Sequence, residues 1–194
     1  MKRIVLFACF AGVLTCAGVA AQQLPYEGQN RLNVPEDYRE WVFLTSSLDL
    51  NYSDATADRS VLDNVFVNRD AYRAFVRTGT WPDKTIIVKE NRIAASAGTI
   101  SKSGKFQTQV LNMEMHVKDE ARFPGKWAFF VSSDGKAPGM LVPTTAACYS
   151  CHSAHGAVDT TFVQFYPTLL EIAKGKNTLS SGYLNDQRSL VGSK

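Results

Sequence analysis

The sequence predicts an α+β fold, a mainly antiparallel β-sheet of about five strands with a few helices. Three observations predict it. Alternating or β-branched runs recur at 61–67, 85–90, 106–118 and 126–132. The one clear helical stripe before residue 140 covers 71–79. After Pro143 the pattern turns helical, so the remaining helices gather at the C-terminal end.

The elements follow in order. Lys2 and Arg3 precede an apolar run from Ile4 to Ala20, and Val19-Ala20-Ala21 ends in small residues. Residues 1–21 are thus expected to be a secretory signal peptide cleaved after Ala21. The run is short of the roughly 20 residues that a membrane span needs, and no later run is longer. Residues 22–34 are polar and aperiodic, a flexible leader. Pro35-Glu36-Asp37-Tyr38 has the proline and acids that open a short helix. Tyr38 to Thr45 carries aromatics that call for burial, and 46–60 reads as a surface loop.

Val61 to Val67 is a strand. Asn68 or Asp70 caps the helix that follows; Tyr72, Phe75 and Val76 form its stripe, and Gly79 ends it. Thr85 to Glu90, Phe106 to Lys118 and Lys126 to Ser132 are further strands, with Asp134-Gly135 and Pro138-Gly139 as turns. Thr144 or Thr145 caps a helix, and Asp159 to Lys174 is a second one that restarts at Pro167. Residues 175–194 read as a loose C-terminal tail, which leaves 35–174 as the functional domain.

The chain carries four cysteines and a formal net charge of +3. Cys9 and Cys16 lie in the signal segment, and Lys2 and Arg3 leave with it. A near-neutral domain gives no argument for nucleic acid. The two remaining cysteines are too few for a disulfide scaffold. They stand in Cys148-Tyr149-Ser150-Cys151-His152, the C-x-x-C-H attachment motif for a c-type haem. Two thiols at this spacing add to the two vinyl groups of one porphyrin, and the next imidazole takes the iron from one face. Two other chemistries compete for these residues. A zinc site would use Cys148, Cys151, His152 and His155, whose crowding on one turn strains a tetrahedron. A redox dithiol would normally open a helix early in a βαβ unit, whereas this pair lies late. One haem c, bound covalently through Cys148 and Cys151 with His152 as proximal iron ligand, is the expectation.

No methionine follows Cys151. Candidates for a sixth iron ligand are Met113, Met115, Met140, His116, His155, a lysine, or none. Met113 and Met115 alternate on a strand as core residues do, with His116 on the other face. An iron open on its distal side is therefore expected, with pocket polarity deciding between ligand binding and activation.

The chain resembles the cytochrome P-460 family. The resemblance rests on Tyr38 to Val42, Asn64 to Asn68, Ala71 to Gly79, Thr85 to Glu90, Val117-Lys118-Asp119, Gly125 to Phe130, Ala147 to His152, and Phe162 to Leu169. It implies a mainly antiparallel sheet, a periplasmic location, often a homodimer, and a haem open on the distal side. Some members oxidise hydroxylamine and carry a second covalent bond, from a lysine to the porphyrin edge; the matching residue here is Lys89. Others bind nitric oxide or similar gases without turnover, and fold does not separate the two.

Three functions follow as expectations. The first is oxidation of hydroxylamine or a related nitrogen compound, with Lys89 cross-linked, a soluble redox partner and a carboxylate base. Glu114 and Asp63 are unanchored candidates for that base, Glu90 faces away from Lys89, and Ala146 and Ala147 precede the haem motif. The second is gas binding behind an aromatic wall drawn from Phe66, Tyr72, Phe75, Trp127 and Phe129. The third is electron transfer, which needs a sixth protein ligand.

Overall fold

The computed structural model describes residues 24–52, 59–98 and 100–192. The expected signal segment lies outside the described residues. The architecture is α+β, as expected, but the sheet has eight strands rather than five. They are β1 (Tyr26–Glu27), β2 (Arg31–Leu32), β3 (Val42–Leu48), β4 (Val61–Val67), β5 (Ile86–Ala95), β6 (Phe106–Lys118), β7 (Trp127–Ser132) and β8 (Gly139–Leu141). The order is β1-β2-β8-β7-β6-β5-β4-β3, every pair antiparallel. Four α-helices accompany it: α1 (Arg69–Thr78), α2 (Ala147–His155), α3 (Pro167–Lys176) and α4 (Ser181–Gly192).

Two expectations near the N-terminus are corrected. The leader 22–34 contains β1 and β2; β1 pairs with β2, and β2 pairs with β8. The first residues of the expected loop, 46–48, and the end of the segment before it, 42–45, form β3, which pairs with β4 through a bulge at Phe43/Thr45. Tyr38 and Trp41 are buried, whereas Phe43 is exposed. At the other end, most of the expected loose tail is α4. The helix read over 159–174 is a 3-10 turn at Val163–Phe165 followed by α3, with Pro167 in its first turn, where a missing N–H costs nothing.

Strand alternation sorts side chains between two faces. On one face, Ile86, Val88, Met113, Met115, Val117, Ala128 and Phe130 form a core with Leu32, Tyr38 and Trp41. On the other, Val65, Val67, Ile87 and Trp127 pack with Phe75, Trp81, Ala157, Val163, Tyr166 and Leu169 from the helical side. The second face holds the site.

Three anchors place the helices on it. Asn68 precedes α1 but spends its carboxamide on the sheet, where Oδ1 accepts from Ile86 N at 2.9 Å. Gly79 ends α1 at φ +78° and leaves room for α3; a Cβ there would lie 2.7 Å from Lys176 Cβ. Trp81, fully inside, donates its indole N–H to Thr161 Oγ1 at 2.8 Å and packs at a tilt against Phe75 at 4.3 Å. The segment after α2 is thereby tied to the connection between α1 and β5 across 80 residues of sequence.

Candidate haem pocket

The motif Cys148-x-x-Cys151-His152 lies on α2. Helical geometry puts positions i, i+3 and i+4 on one side, so both thiols and the imidazole share a face. Both cysteines are half-buried and neither forms a disulfide. α2 starts without a side-chain cap and buries no residue fully, so its position comes from its neighbours. Tyr149 provides one: its ring meets Phe129 edge-on at 4.8 Å, and its hydroxyl donates to Val142 O at 3.1 Å. α4 provides another. A Cβ on Gly182 would fall 2.1 Å from Ala154 O, so only glycine allows this approach of α4 to α2. His155 Nδ1 lies 2.7 Å from Asp186 Oδ2 on α4. That contact points His155 away from the cleft, as its position three residues after His152 suggested.

His152 faces an open cleft with a cavity volume of about 100 Å³. The sheet contributes Thr45, Ser47, Asp63, Val65, Lys89, Glu114 and His116. Aromatic side chains close the rest: Tyr52, Phe129, Phe162, Phe165 and Tyr166. His152 Nδ1 donates to the carbonyl of Thr160 at 2.8 Å. This fixes the tautomer and leaves Nε2 without a hydrogen-bond partner among the described residues. Phe162 stacks on the ring at 4.0 Å. Burial holds the His152 pKa below the ordinary range, with Lys89 adding to it; the Thr160 carbonyl and Glu114 pull the other way. The imidazole is therefore neutral at pH 7, the form that ligates iron.

Lys89 stands opposite Glu114 on β6 and Val65 on β4. Its Nζ lies 3.8 Å from Asp63 Oδ2 and 3.7 Å from Glu114 Oε1. Asp63 was unanchored in the sequence and is anchored here. Its Oδ1 accepts from Ser47 N at 3.0 Å and makes a short bond with Ser47 Oγ. Glu114 accepts from Asn91 Nδ2 at 2.9 Å. Glu90 points to the opposite face, as expected, where Arg39 and Arg92 meet its Oε1.

The remaining expected residues divide. His116 reaches the cleft, stacked on Phe129 at 4.0 Å and against Trp127 at 4.4 Å. Burial, then His152, holds its pKa well below the histidine range. Met113 lies in the opposite core; Met115 touches the cleft floor, but its side chain ends against Gly139 on the far face. Met140 is exposed on β8. Of the five aromatics expected as a distal wall, only Phe129 lines the cleft. Phe66 lies on the opposite face, Phe75 and Trp127 are core, and Tyr72 packs beside that core. The actual wall also draws on Tyr52, Phe162, Phe165 and Tyr166, of which only Phe162, Phe165 and Tyr166 lie in a segment that the sequence reading singled out.

The donor set suits a haem: two unpaired thiols and an imidazole on one helix face, Nε2 directed to a cleft with aromatic walls and polar groups at one end. Among the described residues no helix is long and apolar enough to cross a membrane. No curated protein matches the chain. Residues 35–163, from the first turn before β3 to the aromatic stack on His152, match the family described as Cytochrome P460. The chain belongs to the cytochrome P460 family and is a c-type haem cytochrome.

Proposed function

We propose that this chain holds one haem c through Cys148 and Cys151, with His152 on the iron, and oxidises hydroxylamine or a related small nitrogen compound outside the cytoplasm. The observation that carries the reading is Lys89. It shares the cleft with His152 and lies between two carboxylates that belong to the same cleft. When bound, the haem supplies an iron that accepts electrons from the substrate and passes them to a soluble acceptor.

The chain's own residues perform the rest. His152, oriented by the Thr160 carbonyl, presents a neutral nitrogen. Lys89, which lines the same cleft as His152, would bond the porphyrin edge. Oxidation of an N–H or O–H compound releases protons, and Asp63 and Glu114 are the bases to receive them. Ser47 keeps Asp63 in one orientation, which a positioned base requires. Tyr52, Phe162 and Phe165 pack against one another in tilted and edge-on contacts at the cleft and limit water there.

The aromatic wall also favours a second reading, selective binding of nitric oxide or a similar gas without turnover. Electron transfer alone would need a sixth protein ligand, and Met113 and Met115 belong to the opposite core.

The deciding experiment is the absorption spectrum of the reduced holoprotein, paired with turnover of hydroxylamine against an artificial electron acceptor. A red-shifted, broadened Soret band that reverts to an ordinary c-type band in Lys89→Arg, together with turnover, supports the enzyme. An ordinary Soret band and no turnover sink it in favour of gas binding. Protein made with Cys148→Ser and Cys151→Ser should release its haem to acidified organic solvent.

A further inference from the structure

The hydrogen bond from His152 Nδ1 ends on a backbone carbonyl, and that carbonyl belongs to a residue with its own anchor. Thr160 sits in a tight turn between α2 and Phe162. Asp159 before it has φ +52°, a left-handed conformation that fixes the direction of the chain. Thr161 after it is held separately: Trp81 donates to its hydroxyl, and that hydroxyl donates to Val158 O at 2.7 Å. The Thr160 side chain has a different partner. Its Oγ1 lies 3.3 Å from His116 Nε2, its one hydrogen-bond partner among the described residues. His116 is a firm post, packed between Phe129 and Trp127 on a central strand. The line His116–Thr160–His152 thus runs from the sheet to the imidazole that would face the iron.

We propose that His116 and Thr160 are positioning residues: His116 holds the Thr160 hydroxyl, Thr160 aims its carbonyl at His152 Nδ1, and the pair thereby sets the donor strength of His152. The inference rests on the reading of His152 as iron ligand. Its physical basis is the outer-shell effect. A strong acceptor on the far nitrogen gives the imidazole more anionic character, raises the basicity of Nε2 and favours the oxidised metal. Hydrogen-bond strength falls steeply as the angle opens, so a carbonyl free to swing is a weaker acceptor on average than one tethered by its own side chain.

The test uses intact holoprotein carrying Thr160→Val, Thr160→Ser or His116→Phe. Valine keeps the carbonyl and removes the hydroxyl; serine restores the hydroxyl; phenylalanine keeps the stack on Phe129 and removes the ring nitrogen. Two quantities are read: the iron–histidine stretching frequency of the reduced protein and the equilibrium reduction potential. The expected result is a lower frequency and a higher potential in T160V and H116F, with T160S close to the wild type in both. Wild-type values in T160V overturn the inference. So does a shift in H116F alone, because the aromatic stack and not the hydrogen bond would then carry it. Equal shifts in T160V and T160S overturn it as well. A separate control, His152→Ala, should abolish the iron–histidine mode. If the mode survives in H152A, the iron-ligand reading itself fails, and the inference with it.

Discussion

Asp63→Asn is the substitution in which stability and catalysis separate most clearly. Asp63 is 5 % exposed, and one of its oxygens is held by Ser47 from two sides. Asparagine keeps the shape and an acceptor for Ser47, but loses the charge 3.8 Å from Lys89. A pair at that distance attracts by about 4 kcal/mol gross at an effective dielectric of about 20. Lys89 remains about one-third open to water and keeps Glu114 at 3.7 Å. The net loss of stability should therefore be about 1 kcal/mol, small beside a typical total of roughly 5–15 kcal/mol. Loss of a positioned base costs about 10² to 10⁴-fold in rate, or roughly 3 to 5 kcal/mol of barrier. D63N should then melt near the wild type yet oxidise hydroxylamine at least about 100-fold more slowly. Steady-state turnover and thermal denaturation on one preparation measure both. Turnover within about threefold of the wild type, well under the general-base range, would refute the role given to Asp63. A large fall in melting temperature would refute the electrostatic argument.

Other consequences can be measured on the same protein. Asp119 accepts from Lys84 Nζ at 2.6 Å and Tyr26 Oη at 3.0 Å. Burial would raise its pKa, but these bonds outweigh it and hold the carboxyl below its ordinary value. Its stabilisation is present above the unfolded pKa of about 4 and is lost as pH falls through the lower folded value. Acid denaturation of Asp119→Asn should accordingly show less loss of stability below about pH 4 than the wild type, and an unchanged profile would contradict this. Trp81→Phe removes the donor to Thr161 and part of a fully buried ring; it should cost about 1–3 kcal/mol, read in urea denaturation. Gly182→Ala drives a methyl into the Ala154 carbonyl, and overpacking of about 1–3 kcal/mol should lower the melting temperature by roughly 2–4 °C per kcal/mol.

The sequence carried the regular parts of this molecule well and the irregular parts poorly, for physical reasons. β4 and β6 were legible to their end residues, β4 from its valines and apolar neighbours between polar flanks and β6 from alternation over thirteen residues. β1, β2 and β8 have two or three residues each, too few to show any period. The end of β3 looked like the start of a loop because Ser46 and Ser47 follow Thr45. Those hydroxyls are polar for a reason: Thr45 and Ser47 line the cleft, and Ser46 and Ser47 bond Asp63. α4 has little apolar periodicity because it docks through Tyr183 and a bare glycine rather than a broad stripe. In the site, Cys148, Cys151, His152 and Lys89 could be singled out from local motif and resemblance. The pairing of Asp63 with Ser47 depends on strand register, and the service of Thr160 to His152 is performed by a backbone oxygen that residue type does not encode.

Lys89 and Glu90 are neighbours in sequence and strangers in space. One faces the cleft; the other lies fully buried on the far side, its charge met by Arg39 and Arg92. A chain shortened by one residue within Ile86–Asn91 would exchange them. The ammonium would enter an apolar layer beside Met113, and a third carboxylate would join Asp63 and Glu114. Neither error can be absorbed by relaxing a side chain. The middle of β5 should therefore tolerate substitution far better than any change of length, while a change of length between Ala95 and Phe106, outside both charge systems, should cost least.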